Sequence, residues 1–446
     1  MLRNFFVYLS LVVFFTAPHC DSVKIFVAIS PGLPKAVDNA HIREVAVHIT
    51  GLNATLLGES TLVLARDAEF RSVLKRIKVY DEIEDDENPS EGRVFTGFVI
   101  PPTNFSAKKP FSECVGYFVR LEWKSRSVAS ACLRVYPDWM SELVDQEPAT
   151  GEKNAFVSVP GNLTLNALAI PGTHNAGAYR VYDASSESVV TWYRDCQEED
   201  IYSQLLYGSR FLDIRPGVVT VNNTRTYWVF HAAFRTDNLL EKVLDDVKLF
   251  LDEHKREIVF IDFHEFPWGF KTTSDYAALG DIVEGKLGPY MLQYRPHMIT
   301  LNEAIALNQR AVVTFDQDDA LARRFLPGVN HAWANTDNLD NLSVRLRMMQ
   351  LSRSEGNRLY SAMAQITPKG AWNIILDKYQ GGVRGLSHRN NFKVLSWWRN
   401  SPEYQSTTNL IAMDYLTSSS VVDLCRDINL ERGGQLSKRQ YHAKYF

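Results

Sequence analysis

The segment Ile-Pro-Gly-Thr-His-Asn, residues 170–175, ends a short apolar run that begins at residue 165. Such a run is typical of a buried strand, and the polar residues after it indicate the strand's exposed end. Residues 208–216 (Gly-Ser-Arg-Phe-Leu-Asp-Ile-Arg-Pro), 228–231 (Trp-Val-Phe-His) and 258–265 (Ile-Val-Phe-Ile-Asp-Phe-His-Glu) have the same form. Because the C-terminal ends of parallel strands meet at one mouth of a barrel, the pattern predicts that these polar residues converge.

The same alternation continues to the end of the chain. Apolar runs at 311–315, 359–366 and 410–415 are separated by helical patterns, and in residues 238–254 the apolar positions fall on one helical stripe. Strands that alternate with helices predict a parallel sheet. The fold class is therefore α/β, and we expect an irregular TIM-type (β/α)8 barrel over residues 138–446.

The first part of the chain has a different pattern. Residues 21–137 contain short runs rich in Val, Ile, Phe and Tyr at 23–30, 44–50, 94–100, 116–124 and 128–136, several of which alternate apolar and polar residues. This pattern predicts a small antiparallel β-sandwich domain that precedes the barrel. Pro137 and the polar stretch 146–154 mark the predicted junction.

The N-terminus has the form of an export signal. Arg3 is followed by an apolar run at 5–15 and by small or turn-forming residues, which predicts a signal peptide over residues 1–20, with a retained membrane anchor as the alternative. We therefore expect a secreted, extracellular protein. We also expect it to be a monomer. The net charge of −4 argues against nucleic acid as a partner. Glycosylation sequons begin at Asn53, Asn104, Asn162, Asn222 and Asn341.

The cysteines are consistent with export. Of the five, Cys20 lies at the predicted cleavage zone, which leaves four that allow three disulfide connectivities. We favour Cys114–Cys132, because one hairpin can bring these two together. By elimination, the second predicted bridge is Cys196–Cys425.

The predicted barrel mouth contains two histidines, an arginine and several carboxylates. These are the groups required for cleavage of a phosphodiester by a hydroxyl of the same molecule. A base removes a proton from the attacking hydroxyl, a cation neutralises the phosphoryl oxygens, and an acid protonates the leaving oxygen. The strand-end residues His174, Arg215 and His231 are the candidates for these three roles. His264 is more simply read as structural.

Four motifs in a fixed order resemble a known family. They are Pro-Gly-Thr-His ending at His174, Gly-x-Arg-x-x-Asp-x-Arg ending at Arg215, His231, and Asp-x-His-Glu from Asp262. This set resembles the X region of phosphatidylinositol-specific phospholipases C, in particular the metal-independent bacterial-like branch and the animal X-domain-containing proteins. Weaker similarity extends to Asp414.

The resemblance implies a role for each matching residue. His174 corresponds to the general base for the inositol 2-hydroxyl, and His231 to the general acid for the diacylglycerol oxygen. Arg215 stands where the metal-dependent branch holds calcium, Asp414 would orient the base, and Asp213 would hold His231 or Arg215 in register. The implied substrate is an inositol phospholipid or a glycosylated lipid anchor at a membrane surface, with inositol 1,2-cyclic phosphate as the first product.

The site also departs from the bacterial branch. Asn175 stands where that branch has aspartate, and Asp262 falls where the calcium-dependent pattern has glutamate. We expect these two residues and Gln365 to bind substrate, with reduced or altered activity. A guanidinium supplies its own positive charge and would repel a cation, so we expect catalysis without a metal or other cofactor.

Two other functions stay open. One is a non-catalytic module that keeps the barrel and binds inositol lipids or a protein, which Asn175 favours. The other is a metal-dependent barrel phosphodiesterase with a different head-group specificity, which would place carboxylates where Arg215 stands.

Overall fold

A computed structural model describes residues 23–34, 42–86, 88–101, 113–144, 160–295, 297–316, 324–353 and 358–445. The predicted signal peptide and Cys20 lie outside this part of the chain, as do Asn104 and the whole stretch 146–154. These residues form four sheets and twelve α-helices, with strands numbered β1–β19 and helices α1–α12 in chain order.

The largest sheet contains eight parallel strands in the order β16-β15-β14-β10-β9-β19-β18-β17. The sheet is strongly curled. Its curl brings His331 Nε2 in the edge strand β17 to 2.7 Å from Asp262 Oδ2 in β14, although four strands lie between them. The described parts of the two edge strands, β16 and β17, are not paired with each other, so the sheet is an open barrel. The strands are β9 (Ile170–Thr173), β10 (Phe211–Ile214), β14 (Val259–Phe263), β15 (Ala311–Phe315), β16 (Leu326–Pro327), β17 (Asn330–Ala332), β18 (Tyr360–Met363) and β19 (Leu410–Met413).

This sheet confirms the α/β class and the parallel arrangement predicted from the apolar runs. The two edge strands β16 and β17 were not predicted, because two or three residues are too few to show a periodic pattern. The strand predicted at 165–170 begins only at Ile170 and continues through the Pro-Gly-Thr motif to Thr173.

The prediction that 228–231 forms a barrel strand was wrong. These residues end β12 (Thr224–His231), the central strand of an antiparallel sheet with β11 (Pro216–Val221) and β13 (Phe234–Leu239). Asn222 and Asn223, both with positive φ, form a two-residue turn between β11 and β12. A turn of this kind joins antiparallel strands, whereas a parallel pair needs a crossover of a dozen or more residues.

The N-terminal region forms two four-stranded antiparallel sheets, in the orders β1-β2-β6-β5 and β4-β3-β7-β8. Their residues share one hydrophobic cluster with barrel residues such as Ile170 and Ile411, so a separate β-sandwich domain is not confirmed. The strands are β1 (Lys24–Ser30), β2 (Glu44–Thr50), β3 (Ser60–Ala65), β4 (Val73–Lys78), β5 (Ile83–Asp86), β6 (Asn88–Val99), β7 (Cys114–Trp123) and β8 (Arg126–Arg134).

Buried ion pairs also join the N-terminal sheets to the barrel. Arg43, just before β2, lies 2.7 Å from Glu199 in the loop ahead of a barrel helix, and both side chains are buried. At another point, Arg399 lies 2.9 Å from Glu91 of β6. The two parts of the chain therefore share polar contacts as well as a core.

The first two helices, at 54–59 and 79–82, lie among the N-terminal strands, and the other helices lie in the part of the chain that forms the curled sheet. The stripe predicted at 238–254 is helix α5 (Leu240–Glu253). Its buried apolar residues are Leu240, Val243, Leu244, Val247, Phe250 and Leu251. No helix of the described residues is both long and apolar enough to cross a membrane. The remaining helices are α1 (Ala54–Glu59), α2 (Val79–Glu82), α3 (Val189–Arg194), α4 (Ile201–Leu206), α6 (Thr273–Leu287), α7 (Leu301–Ala306), α8 (Leu339–Leu351), α9 (Ala371–Ile375), α10 (Gly382–Asn400), α11 (Pro402–Thr407) and α12 (Val421–Tyr445).

One of the two predicted disulfides is present. Cys114 and Cys132 are bonded across β7 and β8, as a single hairpin allows. The Cys196–Cys425 bridge was wrong, because both residues are free and buried. Elimination assumed that every cysteine is bridged, but a free cysteine often packs as a small apolar residue.

Four of the five predicted glycosylation sites lie in the described part of the chain. Asn53, Asn162, Asn222 and Asn341 are all exposed. Glycosylation at these asparagines stays a prediction.

Candidate active site

The site is built around a contact between the ends of two adjacent strands. Thr173 of β9 pairs with Met413 of β19, so the next residues, His174 and Asp414, are neighbours. His174 Nδ1 lies 2.7 Å from Asp414 Oδ1, and both side chains are buried. A carboxylate at Nδ1 holds the proton on that nitrogen and leaves Nε2 as the basic atom.

Arg215 follows β10 and reaches the basic nitrogen of His174. Its Nη2 lies 3.0 Å from His174 Nε2 and 3.5 Å from Asp213 Oδ2, and its Nη1 donates to Glu265 at 2.9 Å. Burial opposes the charge of this guanidinium, but Asp213 and Glu265 outweigh it and raise the pKa of Arg215. A fixed positive charge therefore lies beside the candidate base.

Asn175 and Asp213 join the first two strands of the site. The Asn175 backbone N–H donates to Asp213 Oδ2 at 3.1 Å, and its side-chain amide nitrogen lies 3.2 Å from His174 Nε2. Asn175 has a φ of 44°, in the left-handed region that asparagine tolerates better than most residues. Although burial opposes it, the charges of His264 and Arg215 hold the pKa of Asp213 well below its usual value.

His231 approaches from the antiparallel sheet rather than from the barrel. Its ring lies edge-on to that of His174, with centroids 6.1 Å apart. His231 Nδ1 is 2.9 Å from the carbonyl oxygen of Arg194, so that nitrogen carries the proton and Nε2 is left to face a ligand. Burial, followed by the charges of Arg215 and His174, lowers the pKa of His231 to about 3.

Two predicted substrate-binding residues, Asp262 and Gln365, are buried. Asp262 is completely buried; Oδ1 accepts from the Val329 N–H at 3.1 Å, and Oδ2 lies 2.7 Å from His331. His264 Nδ1 lies 3.1 Å from Asp262 Oδ2 and 3.2 Å from Asp213 Oδ1, so Asp262 is linked to Asp213 through His264 and does not face solvent. Gln365 is also buried and shares a small cavity with Asp414, beside α10.

The structure adds residues that sequence reasoning missed. Gln197 donates to the carbonyl oxygens of His174 at 3.0 Å and Met413 at 2.8 Å, which fixes the backbone at both strand ends. Cys196 Sγ lies 3.5 Å from His231 Nδ1, and burial raises the pKa of this thiol well above its usual value. Neither residue belongs to a recognised motif. Glu265 does, in Asp-x-His-Glu, but its role as the partner of Arg215 was not foreseen.

Calcium does not fit the residues present beside Asn175. The ion takes six to eight oxygen ligands. The Asp213 oxygen that faces Asn175 also faces the guanidinium of Arg215, which fills this position with its own charge.

No protein-family model matches the chain, but curated proteins of known family are similar to it. The chain is 26% identical over 327 residues to the PI-PLC X domain-containing protein 1 of Mus musculus, covering 68% of this chain and 88% of that protein. It is 22% identical over 321 residues to the PI-PLC X domain-containing protein 3 of Danio rerio, covering 66% and 93%.

Solved structures of bacterial enzymes are also similar. A mutant of the phosphatidylinositol-specific phospholipase C from Staphylococcus aureus matches with a TM-score of 0.49 and 16% identity, over 66% of this chain and 97% of the other. The Listeria monocytogenes enzyme matches with a TM-score of 0.46 and 16% identity, over 66% and 98%. The resemblance read from the motifs is confirmed: over about two thirds of its length the chain is similar to the PI-PLC X domain-containing proteins.

Proposed function

We propose that this protein is a phosphodiesterase of the phospholipase C type that cleaves an inositol phospholipid or a glycosylated lipid anchor without a catalytic metal. The observation that carries the proposal is the contact between the basic nitrogen of His174 and the guanidinium of Arg215, 3.0 Å apart, with His231 across the same space. A base, a fixed cation and a second imidazole are the groups that this reaction needs.

The first half of the reaction uses His174 as the base. Nε2 takes the proton of the inositol 2-hydroxyl, whose oxygen attacks the phosphorus, while Asp414 stabilises the imidazolium through Nδ1. Arg215 Nη2 donates to Nε2 in the free protein. A bound phosphodiester anion offers the guanidinium a stronger acceptor, so it draws Arg215 away and frees the base.

The second half uses His231 as the acid. Its Nε2 proton passes to the diacylglycerol oxygen as the bond from that oxygen to phosphorus breaks, which gives diacylglycerol and inositol 1,2-cyclic phosphate. In the free protein the pKa of His231, about 3, keeps this ring neutral near pH 7. A phosphodiester anion offsets the charge of Arg215, so binding of substrate raises the pKa of His231 and provides the proton.

The mouth of the barrel has a surface suited to lipid. Several large apolar side chains are between 43% and 74% exposed on segments that follow strand ends or adjoin His231. Membrane-facing surfaces are commonly rich in Trp and Phe at such positions. The residues are Phe234, Trp268, Trp333, Trp372, Ile375 and Leu376.

Export is part of the proposal. The predicted signal peptide over residues 1–20 suggests it, and the Cys114–Cys132 disulfide supports it because such bonds persist mainly in oxidising compartments. The four exposed sequons are compatible with a secreted glycoprotein.

The test is to incubate the protein with phosphatidylinositol vesicles in chelator and follow the product by phosphorus NMR. We expect an inositol 1,2-cyclic phosphate signal, and its loss in His174→Ala and in His231→Ala, each with an unchanged melting temperature. Release of a different head group that requires added metal would contradict the proposal.

A non-catalytic lipid-binding module is the second candidate, and Asn175 favours it. A neutral amide beside His174 cannot stabilise an imidazolium as a carboxylate would. The two functions differ in the effect of Asn175→Asp: for an enzyme we expect faster cyclic phosphate release. If the wild type and Asn175→Asp both bind phosphatidylinositol vesicles without any turnover, the binding module is the better description.

A further inference from the structure

A second cluster of ligand-type side chains adjoins the candidate active site through Asp213. One oxygen of this carboxylate, Oδ2, faces Arg215 and the Asn175 amide, whereas Oδ1 lies 3.2 Å from Nδ1 of His264. Two further residues complete the cluster, Asp262 and His331. We call these four residues, Asp213, Asp262, His264 and His331, the inner cluster.

The distances in the inner cluster are close to those of a metal coordination shell. His264 Nδ1 lies 3.1 Å from Asp262 Oδ2, and His331 Nε2 lies 2.7 Å from the same oxygen. In a tetrahedral zinc site with bonds of 2.0–2.2 Å, neighbouring ligand atoms are about 3.3 Å apart. The first contact already fits, and the second needs to open by about 0.6 Å to reach that spacing.

Two atoms of the cluster have no hydrogen-bond partner among the described residues. They are Asp213 Oδ1 and His264 Nδ1, which face each other without hydrogen-bond geometry. Asp213 is completely buried and His264 is 9% exposed. Buried polar atoms nearly always have a hydrogen-bond partner, so two such atoms that meet only at ion-pair distance, without hydrogen-bond geometry, point to a missing ligand between them.

We propose that the inner cluster binds a divalent transition-metal ion of the Zn²⁺ type. Two imidazole nitrogens favour such an ion over calcium or magnesium, which prefer oxygen ligands. Two carboxylates balance its charge. The inference goes beyond the proposed function, because no step of phosphodiester cleavage passes through this ion. Its role is structural. An ion bound at Oδ1 of Asp213 fixes the orientation of this carboxylate, whose other oxygen, Oδ2, faces Arg215 and accepts from the Asn175 N–H.

A rival set of ligands lies nearby. His174, Cys196 and Asp414 also have ligand atoms within 4.8 Å of one another. His174 Nδ1 contacts Asp414 at 2.7 Å, just as His331 Nε2 contacts Asp262 in the inner cluster. Only the inner cluster, however, has buried atoms without a hydrogen-bond partner among the described residues, Asp213 Oδ1 and His264 Nδ1. This difference favours the inner cluster, and the experiment separates the two.

The experiment titrates the chelator-treated full chain with Zn²⁺ against a chromophoric competitor, and repeats it with Co²⁺. We expect one tight equivalent of Zn²⁺ and a visible Co²⁺ spectrum of tetrahedral nitrogen and oxygen coordination, without a thiolate charge-transfer band. A thiolate band in the wild-type protein would assign the metal to Cys196 and overturn the proposal.

Variants give the second readout. His264→Ala and His331→Ala should each weaken Zn²⁺ binding by at least about 100-fold, since even an outer-shell partner is worth about 10–100-fold. Zn²⁺ should raise the melting temperature of the wild type and of Cys196→Ser, but not of His331→Ala. The exposed His297 provides the control, because His297→Ala should bind as the wild type does.

Two outcomes refute the site. If the wild type binds no Zn²⁺, a proton on His264 fills the space between the two carboxylates instead. If Zn²⁺ binds equally in the wild type and in both cluster variants, the ion is held elsewhere. Phosphodiesterase activity is not a readout, so failure of this inference is distinguishable from failure of the proposed function.

Discussion

His174 Nδ1 lies 2.7 Å from Asp414 Oδ1, a contact between residues 240 positions apart in the chain. The pairing of β9 with β19 creates this contact, because Thr173 and Met413 end the two strands side by side and His174 and Asp414 directly follow them. The arrangement fixes the tautomer of the imidazole and makes Nε2 the reactive nitrogen.

Loss of that carboxylate should slow the reaction without unfolding the protein. In Asp414→Asn the amide can still fill the space, but it cannot stabilise the imidazolium. We expect a fall in turnover of roughly 10²–10⁴-fold, comparable to the loss of a general base or of its orienting carboxylate. Turnover on phosphatidylinositol vesicles measures the effect, with circular dichroism as the check of folding. Activity within a few-fold of the wild type would show that Asp414 is not coupled to the base.

Arg215 is expected to need its forked shape and not only its charge. In Arg215→Lys an ammonium cannot contact His174, Asp213 and Glu265 at once. We expect turnover to fall by on the order of 10²-fold, the cost of losing one oriented donor to a charged transition state. Normal turnover in this variant would mean that the phosphate is held by another group.

The buried Glu199 predicts a pH dependence of stability. Burial, only partly offset by Arg43, raises the pKa of Glu199 from 4.5 to about 7. The folded state therefore binds this proton more tightly than the unfolded state, and the stabilisation is lost as pH rises from about 4.5 to 7. The free energy of unfolding that Glu199 contributes therefore falls by up to about 3 kcal/mol across this pH range.

The measurement is denaturant unfolding at pH 5 and pH 8. Glu199→Gln should lose less unfolding free energy between these values than the wild type. The control is Glu241→Gln, at an exposed position of α5, which should behave as the wild type. Equal pH dependence in all three proteins would contradict the prediction.

The Cys114–Cys132 bridge should stabilise the region of β7 and β8. Its two cysteines are 18 residues apart, and closing a loop of that size stabilises a fold by about 3 kcal/mol. We expect reductant to lower the unfolding free energy of the wild type to that of Cys114→Ser/Cys132→Ser and to leave the double variant unchanged. If thiol titration shows a reduced bridge while wild-type stability stays the same, the bridge has no stabilising role.

Local patterns in the sequence determined much of the fold. The strand run 311–315 and the helical stripe near 238–254 were predicted closely, because burial on a strand or on one helix face imposes a periodicity that a short window reveals. Ordered motifs identified His174, Arg215 and His231 and the family resemblance. Hairpin proximity alone was enough to pair Cys114 with Cys132.

Tertiary structure decided what depends on neighbours distant in the chain. His231 lies on an antiparallel hairpin and not on a barrel strand, and Cys196 packs against it as a free thiol instead of bonding to Cys425. The His331–Asp262 contact joins strands near opposite edges of the curled sheet. No local pattern encodes these relationships, because sheet curvature and strand order bring the side chains together only when the whole core packs.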